Sequence, residues 1–252
     1  LPINQVIPEV KEKLHQYQSL VLQAPPGSGK TTVLPLALLD EPWLKGKKII
    51  MLEPRRLAVR TSAQRMAELL GEKVGKRIGY QIKMESVQSH ETQILIVTEG
   101  ILTRKLQHDP SLEDIALIIF DEFHERSLHA DLSLALSLES QAILREDLKI
   151  LIMSATLNTS AISKLLDNAP IIQSEGRTFP VERIYLPTDT AAPTKKELPV
   201  FVHRLLHKII HDEEGNILVF LPGVKEIKAV EKYLKSSKPK DIYISTLYGN
   251  LN

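Results

Sequence analysis

Leu20-Val21-Leu22-Gln23-Ala24-Pro25-Pro26-Gly27-Ser28-Gly29-Lys30-Thr31-Thr32 is the stretch that decides how this chain folds. Its first four residues form an apolar, strand-like run. Residues 24–31 then match the phosphate-binding loop pattern, with Ala24 replacing the usual first glycine. Glycines at 27 and 29 let successive backbone N–H groups turn toward one anion, and a helix opening there adds positive potential. Lys30 is then expected at the β- and γ-phosphates, and Thr31 at Mg2+. The plain alternative is a glycine-rich turn before a helix. Average composition gives only roughly 0.02 chance matches to the loop pattern in a chain this long.

Outward from that loop, short apolar runs alternate with amphipathic ones, the pattern of βαβ units around a parallel sheet. Candidate strands are residues 20–23, 48–52, 92–97, 116–120 and 149–153, apolar almost throughout, as strands covered on both faces should be. Candidate helices are residues 57–70, 101–107, 128–143 and 161–166. The fold class expected is therefore α/β. Beyond Pro170 the composition changes, and a second series is expected: strands at 181–186, 217–221 and 242–245, with helices at 200–211 and 224–234. The boundary is placed near 173, giving domains 1–173 and 174–252, the second with too few elements to be complete.

The run at 116–120 delivers Asp121-Glu122-Phe123-His124 to a strand end, where open α/β sheets place their ligands. Asp121 is expected in the Mg2+ shell, and Glu122 is expected to orient and deprotonate a water. By itself the pair reads equally as a negatively charged strand end; the phosphate loop upstream favours the chemical reading. A metal site on His124 and His129 is weaker, since Arg126 would share it. Ser154-Ala155-Thr156 follows the run at 149–153 and by itself is as much a plain turn or helix cap.

Together these residues resemble the DEAH/RHA group of superfamily 2 helicases. The likeness runs through residues 24–32 with Pro35, Glu53-Pro54-Arg55-Arg56-Leu57-Ala58, Thr98-Glu99-Gly100, Asp121-Glu122-Phe123-His124-Glu125-Arg126-Ser127 and Ser154-Ala155-Thr156. It continues through Gly176-Arg177-Thr178-Phe179-Pro180-Val181-Glu182, Phe220-Leu221-Pro222-Gly223-Val224 and Leu247-Tyr248-Gly249. Phe123 and Glu53 point to the bacterial HrpB type within that group. The resemblance implies a RecA-like ATP-binding domain followed by the start of a second one, ATP and Mg2+ as cofactors, and nucleic acid as partner. Single-stranded RNA is the expected substrate by group analogy, with DNA open. It implies nucleotide contacts along residues 24–32, a strand grip by Arg55, Arg56, Thr98, Glu99 and Gly100, and coupling through His124, Ser154 and Thr156. Arg65 is implied at the adenine face, with a solvated helix arginine as the equal alternative. Paired arginines on a surface turn are also common without any ligand.

Composition excludes some classes. Of 252 residues, 32 are basic and 31 acidic, so no overall field points to nucleic acid and the case rests on local clusters. Cysteine is absent, which removes disulfides, thiolate metal sites and a cysteine nucleophile. The longest apolar stretches are far shorter than a membrane span, so no membrane partner is expected. With no secretion-type start, a cytoplasmic location is the default; no protein partner is indicated. Lys225, Lys228, Lys232 and Lys235 recur at helical spacing and read as a solvated face. The chain opens on Leu1, and the arginine-rich later motif of the group does not precede Asn252, so a fragment is expected. Two other functions fit parts of the pattern. An ATP-gated clamp needs the same pocket and grip. A metabolic P-loop kinase would need an acceptor pocket in place of the Pro-Arg-Arg, Thr-Glu-Gly and Ser-Ala-Thr series.

Overall fold

A computed structural model describes residues 1–156, 159–176, 180–237 and 242–248. Arg177, Thr178, Phe179 and Gly249 of the quoted motifs lie outside the described residues. The chain divides into two compact units, Leu1–Pro180 and Val181–Asn252.

In the first unit the apolar runs become strands β1 (Ser19–Gln23), β2 (Lys48–Glu53), β5 (Ile94–Thr98), β6 (Ile115–Phe120) and β7 (Lys149–Ser154). Three more strands were not expected: β3 (Ile78–Ile82), β4 (Glu85–Val87) and β8 (Ile171–Gln173). Their sequences are short or polar, and β3 and β4 form an edge hairpin in which β3 is buried at three of five positions and β4 at none. The eight strands make one sheet in the order β4-β3-β5-β2-β6-β7-β1-β8. Every pairing in it is parallel except that of β3 with β4.

Side chains alternate across a strand, so each central strand feeds two cores. On one face Leu20, Leu22, Ile49, Met51, Leu117 and Ile119 pack with residues of α1 (Ile7–Gln16), α2 (Leu34–Ala37) and α3 (Arg56–Leu69). On the other, Val21, Ile50, Leu52, Ile118, Phe120 and Ile152 pack with α4 (Glu99–His108), α5 (Leu128–Ile143) and α6 (Thr159–Leu165). This two-sided burial explains why these strands are almost wholly apolar. β6 is buried at all six positions.

The unit is the expected RecA-like α/β layer, with local differences. Thr92 lies outside β5, because its hydroxyl serves the preceding loop, accepting from Ser89 N–H at 2.9 Å and donating to Lys76 C=O at 2.8 Å. α4 begins at Glu99, so Gly100 lies inside the helix. The helix expected after the phosphate loop is brief. Val33 N–H bonds Gly29 C=O at 2.9 Å, but Pro35 has no N–H to continue the ladder, and α2 spans only Leu34–Ala37.

In the second unit, α7 (Leu198–Asp212) and α8 (Val224–Ser237) bury Leu206 and Val230. The strands expected at 181–186, 217–221 and 242–245 do not form among the described residues. An apolar run becomes a strand only when a neighbour accepts its hydrogen bonds. Here Val181 and Phe220 remain 80% and 87% exposed. Among the described residues, no helix is long and apolar enough to cross a membrane.

Candidate functional site

Because β1, β2, β5, β6 and β7 run parallel, their carboxyl ends share one edge of the sheet. Gln23 pairs with Ser154, Phe120 with Ile152 and Leu52, and Glu53 with Thr98. Chemistry-bearing residues far apart in sequence therefore emerge side by side.

The phosphate loop leaves β1 with Ala24 N–H bonded to Ser154 C=O at 2.9 Å. Gly27 and Gly29 take φ of +73° and +98°, where side chains are strained. Gly29 has a second reason to be glycine: a Cβ there would sit 2.9 Å from both Ile3 Cγ2 and Leu1 Cδ1. Ile3 N–H also bonds Ser28 C=O at 3.1 Å, so the N-terminal residues brace the loop. On the other side Gly176 lies so close to Pro25 that a Cβ would stand 2.1 Å from the proline ring. Pro26 stays exposed at the loop's outer surface, Ser28 is buried, and Thr32 follows the site threonine.

Two side-chain pairs cross from this loop to the end of β6. Lys30 Nζ donates to Glu122 Oε1 at 2.7 Å, and Thr31 Oγ1 donates to Asp121 Oδ2 at 2.5 Å. Lys30 and Asp121 are each 3% exposed. Burial pushes Asp121 up to about 6; the Thr31 hydroxyl and the Lys30 charge hold it back, while Glu122 adds to the rise. Its other oxygen accepts the Glu122 N–H at 2.8 Å. Glu122 adopts φ of +48°, which turns its carboxylate toward Lys30. The second Glu122 oxygen lies 3.3 Å from His124 Nδ1, which is buried and makes no hydrogen bond in this geometry.

Ser154 ends β7 fully buried, and its hydroxyl accepts the Thr156 N–H at 3.3 Å, while Thr156 itself is exposed. Arg55 caps α3 and Arg56 opens it, both exposed. Arg55 pairs with Glu125 at 3.0 Å. Thr98 ends β5 at the start of α4, and Glu99 accepts from Ser127 Oγ at 2.5 Å. A Cβ at Gly100 would meet nothing within 4 Å, and its φ does not demand glycine. Arg65, further along α3, pairs with Glu68 at 3.5 Å, the solvated arrangement.

One buried group was not singled out as a site residue. Glu53 ends β2 at 2% exposure, with the Ser62 hydroxyl 3.3 Å away. Burial, reinforced by Asp121, pushes it up to about 8. A lone carboxylate closing the apolar run Lys48-Ile49-Ile50-Met51-Leu52 was the available signal. Among the described residues no group of three or more His, Cys, Asp or Glu could hold a metal by itself. A hydroxyl against a buried carboxylate is instead a partial oxygen set, of the kind completed by water and phosphate around Mg2+.

Residues 4–165 match the DEAD/DEAH box helicase family. The chain belongs to that family. Among similar DEAD/DEAH box proteins is the ATP-dependent RNA helicase HrpB of Escherichia coli (strain K12), 48% identical over all of this chain and 30% of that protein. The ATP-dependent RNA helicase HrpA of Borreliella burgdorferi is 37% identical, again over all of this chain and 30% of its own length. The crystal structure of the E. coli DEAH/RHA helicase HrpB shares 47% identity and a TM-score of 0.89, covering 100% of this chain and 31% of that one. This DEAD/DEAH box chain thus spans about a third of the length of these two relatives.

Proposed function

We propose that this chain carries the ATP-binding front of a nucleic-acid-dependent ATPase, in which hydrolysis drives stepping along, or separation of, RNA strands. The observation that carries this reading is the convergence of Lys30 on Glu122 and Thr31 on Asp121, on the sheet edge that also presents Arg55, Arg56 and Gly100.

Lys30 and the backbone of residues 24–32 bind the phosphates, with Lys30 exchanging Glu122 for a phosphate oxygen. Thr31 and Asp121, with Glu122 beside them, would hold Mg2+, whose chemistry is to neutralise charge on the β- and γ-phosphate oxygens. Released from Lys30, Glu122 orients the attacking water and takes its proton. His124, half-buried beside that carboxylate, with Ser154 and Thr156 at the next strand end, passes the state of the site onward. Arg65 reaches the adenine face by giving up Glu68. Residues 174–252 begin the second RecA-like domain.

Arg55, Arg56, Thr98, Glu99 and Gly100 grip the nucleic-acid backbone. Open space over Gly100 supports this, since a glycine required neither by φ nor by packing leaves room for a strand to approach. Contacts to phosphates carry no sequence information, which suits a motor that crosses any sequence. RNA is favoured over DNA because the similar proteins HrpB and HrpA are named RNA helicases. The test is ATP turnover and strand displacement by the complete protein with matched RNA and DNA. RNA-stimulated turnover with displacement is expected. Turnover indifferent to either strand overturns the reading, and stimulated binding without displacement favours a clamp.

A further inference from the structure

The six residues that follow Asp121 touch each part of the candidate site. Glu122 holds Lys30 at 2.7 Å on the phosphate side. Phe123–Glu125 form a single 3-10 turn, bracketed by Glu122 at φ +48° and Arg126 at φ +44°, values that non-glycine residues rarely adopt. Phe123 pins the middle of the turn. It is 3% exposed, edge-on to Phe120 at 5.9 Å, with the Arg126 guanidinium 5.3 Å from its ring centre. On the far side, Glu125 Oε1 pairs with Arg55 at 3.0 Å and Ser127 Oγ donates to Glu99 at 2.5 Å. Both candidate grip motifs are therefore tied to the turn that begins at the phosphate-facing carboxylate.

We propose that Glu125 is a positioning residue that holds Arg55 back from nucleic acid while Glu122 occupies Lys30, and lets it go when a nucleotide phosphate takes Lys30. This rests on Arg55 belonging to the strand grip. Lys30 is almost fully buried, so an incoming phosphate competes with Glu122 for one ammonium group. Glu122 and Glu125 flank Phe123 in one short turn, three residues apart, so under this proposal the move of the first carboxylate off Lys30 is carried through the turn to the second. The Arg55–Glu125 pair suits exchange. Its side chains are 72% and 34% exposed, and such pairs are weak and screened. A nucleic-acid phosphate offers the guanidinium oxygen acceptors of the same kind as the carboxylate it replaces.

The experiment uses the complete protein and labelled single-stranded RNAs of unrelated sequence. Binding is measured without nucleotide and with a non-hydrolysable ATP analogue. Glu125→Gln is expected to tighten nucleotide-free binding about two- to fivefold, the size of an exposed ion pair, and to change little with the analogue. Arg55→Ala weakens binding, and the double variant behaves as Arg55→Ala alone. Basal ATP turnover of Glu125→Gln stays near that of the parent. If Glu125→Gln leaves nucleotide-free binding unchanged while Arg55→Ala weakens it, the restraint is wrong and the grip stands. Equal tightening in both nucleotide states makes Glu125 merely a nearby negative charge and also overturns the proposal. If Arg55→Ala changes nothing, the grip reading itself falls.

Discussion

The phosphate side and the outer side of the same sheet edge are built on opposite terms. At the phosphate loop the charged groups are buried, Lys30 paired with Glu122 and Asp121 accepting from both the Thr31 hydroxyl and the Glu122 N–H. At the outer side Arg55 and Arg56 stand in solvent, and Arg55 makes an exposed pairing with Glu125. A buried charge is costly unless its partner and hydrogen bonds are in place, so the inner cluster tolerates one geometry. Exposed charges interact weakly and exchange partners readily. The inner cluster suits selection of one phosphate chain with one geometry. The outer one suits a succession of equivalent phosphates along a strand.

The sharpest way to break this contrast is within the inner cluster. Lys30→Ala should abolish most nucleotide binding, because it removes the buried cation and strands the two carboxylates. Glu122→Gln keeps the shape and should preserve binding while slowing hydrolysis by about 10²- to 10⁴-fold, the usual loss for a general base. Nucleotide titration beside single-turnover hydrolysis separates the two. Equal loss of binding in both variants would remove the role given to Glu122.

At the outer side a smaller, graded effect is expected. Arg55→Ala with Arg56→Ala should weaken unrelated RNA sequences by similar factors. The slope of log binding constant against log salt should flatten by roughly 1.4, about 0.7 for each lost single-strand phosphate contact. Salt titrations on two sequences check this. A loss confined to one sequence means contact with bases and ends the backbone reading.

The smallest effect lies where the two sides meet, at Glu53. Its ordinary value of 4.5 rises to about 8 in the folded chain, mainly through burial. The folded protein therefore keeps a proton that the unfolded chain gives up. Its contribution to stability is complete below pH 4.5 and fades as pH rises toward 8. Glu53→Gln, in metal-free buffer, should match the parent at the acid end and melt higher above pH 8, by about 2–4 °C for each kcal/mol in a domain this size. A melting difference that does not change with pH would show that Glu53 is charged throughout.

Much of this was legible in the amino-acid sequence, for definite reasons. A strand buried on both faces must be apolar at every position, so β1, β2, β6 and β7 announce themselves. A phosphate loop needs glycines and a lysine at set spacing, so residues 24–32 announce the site. Asp121 and Glu122 close an apolar strand, and parallel strands end together, which is enough to expect them near Lys30. None of this depends on distant contacts.

What the sequence left open depends on distant contacts. β3, β4 and β8 are too short or polar to be recognised without the neighbour that accepts their hydrogen bonds. The apolar runs at 181–186 and 217–221 read as strands, yet among the described residues they join no sheet, and Val181 and Phe220 stay exposed. Gly176 against Pro25, Ile3 against Gly29 and Glu125 against Arg55 join residues between 26 and 151 positions apart, by no local rule. Residue type sets which interactions a side chain is able to make. Only the tertiary fold, by fixing which groups are buried and which meet, decided that Lys30 faces Glu122 and that one turn touches both the phosphate loop and the outer arginine.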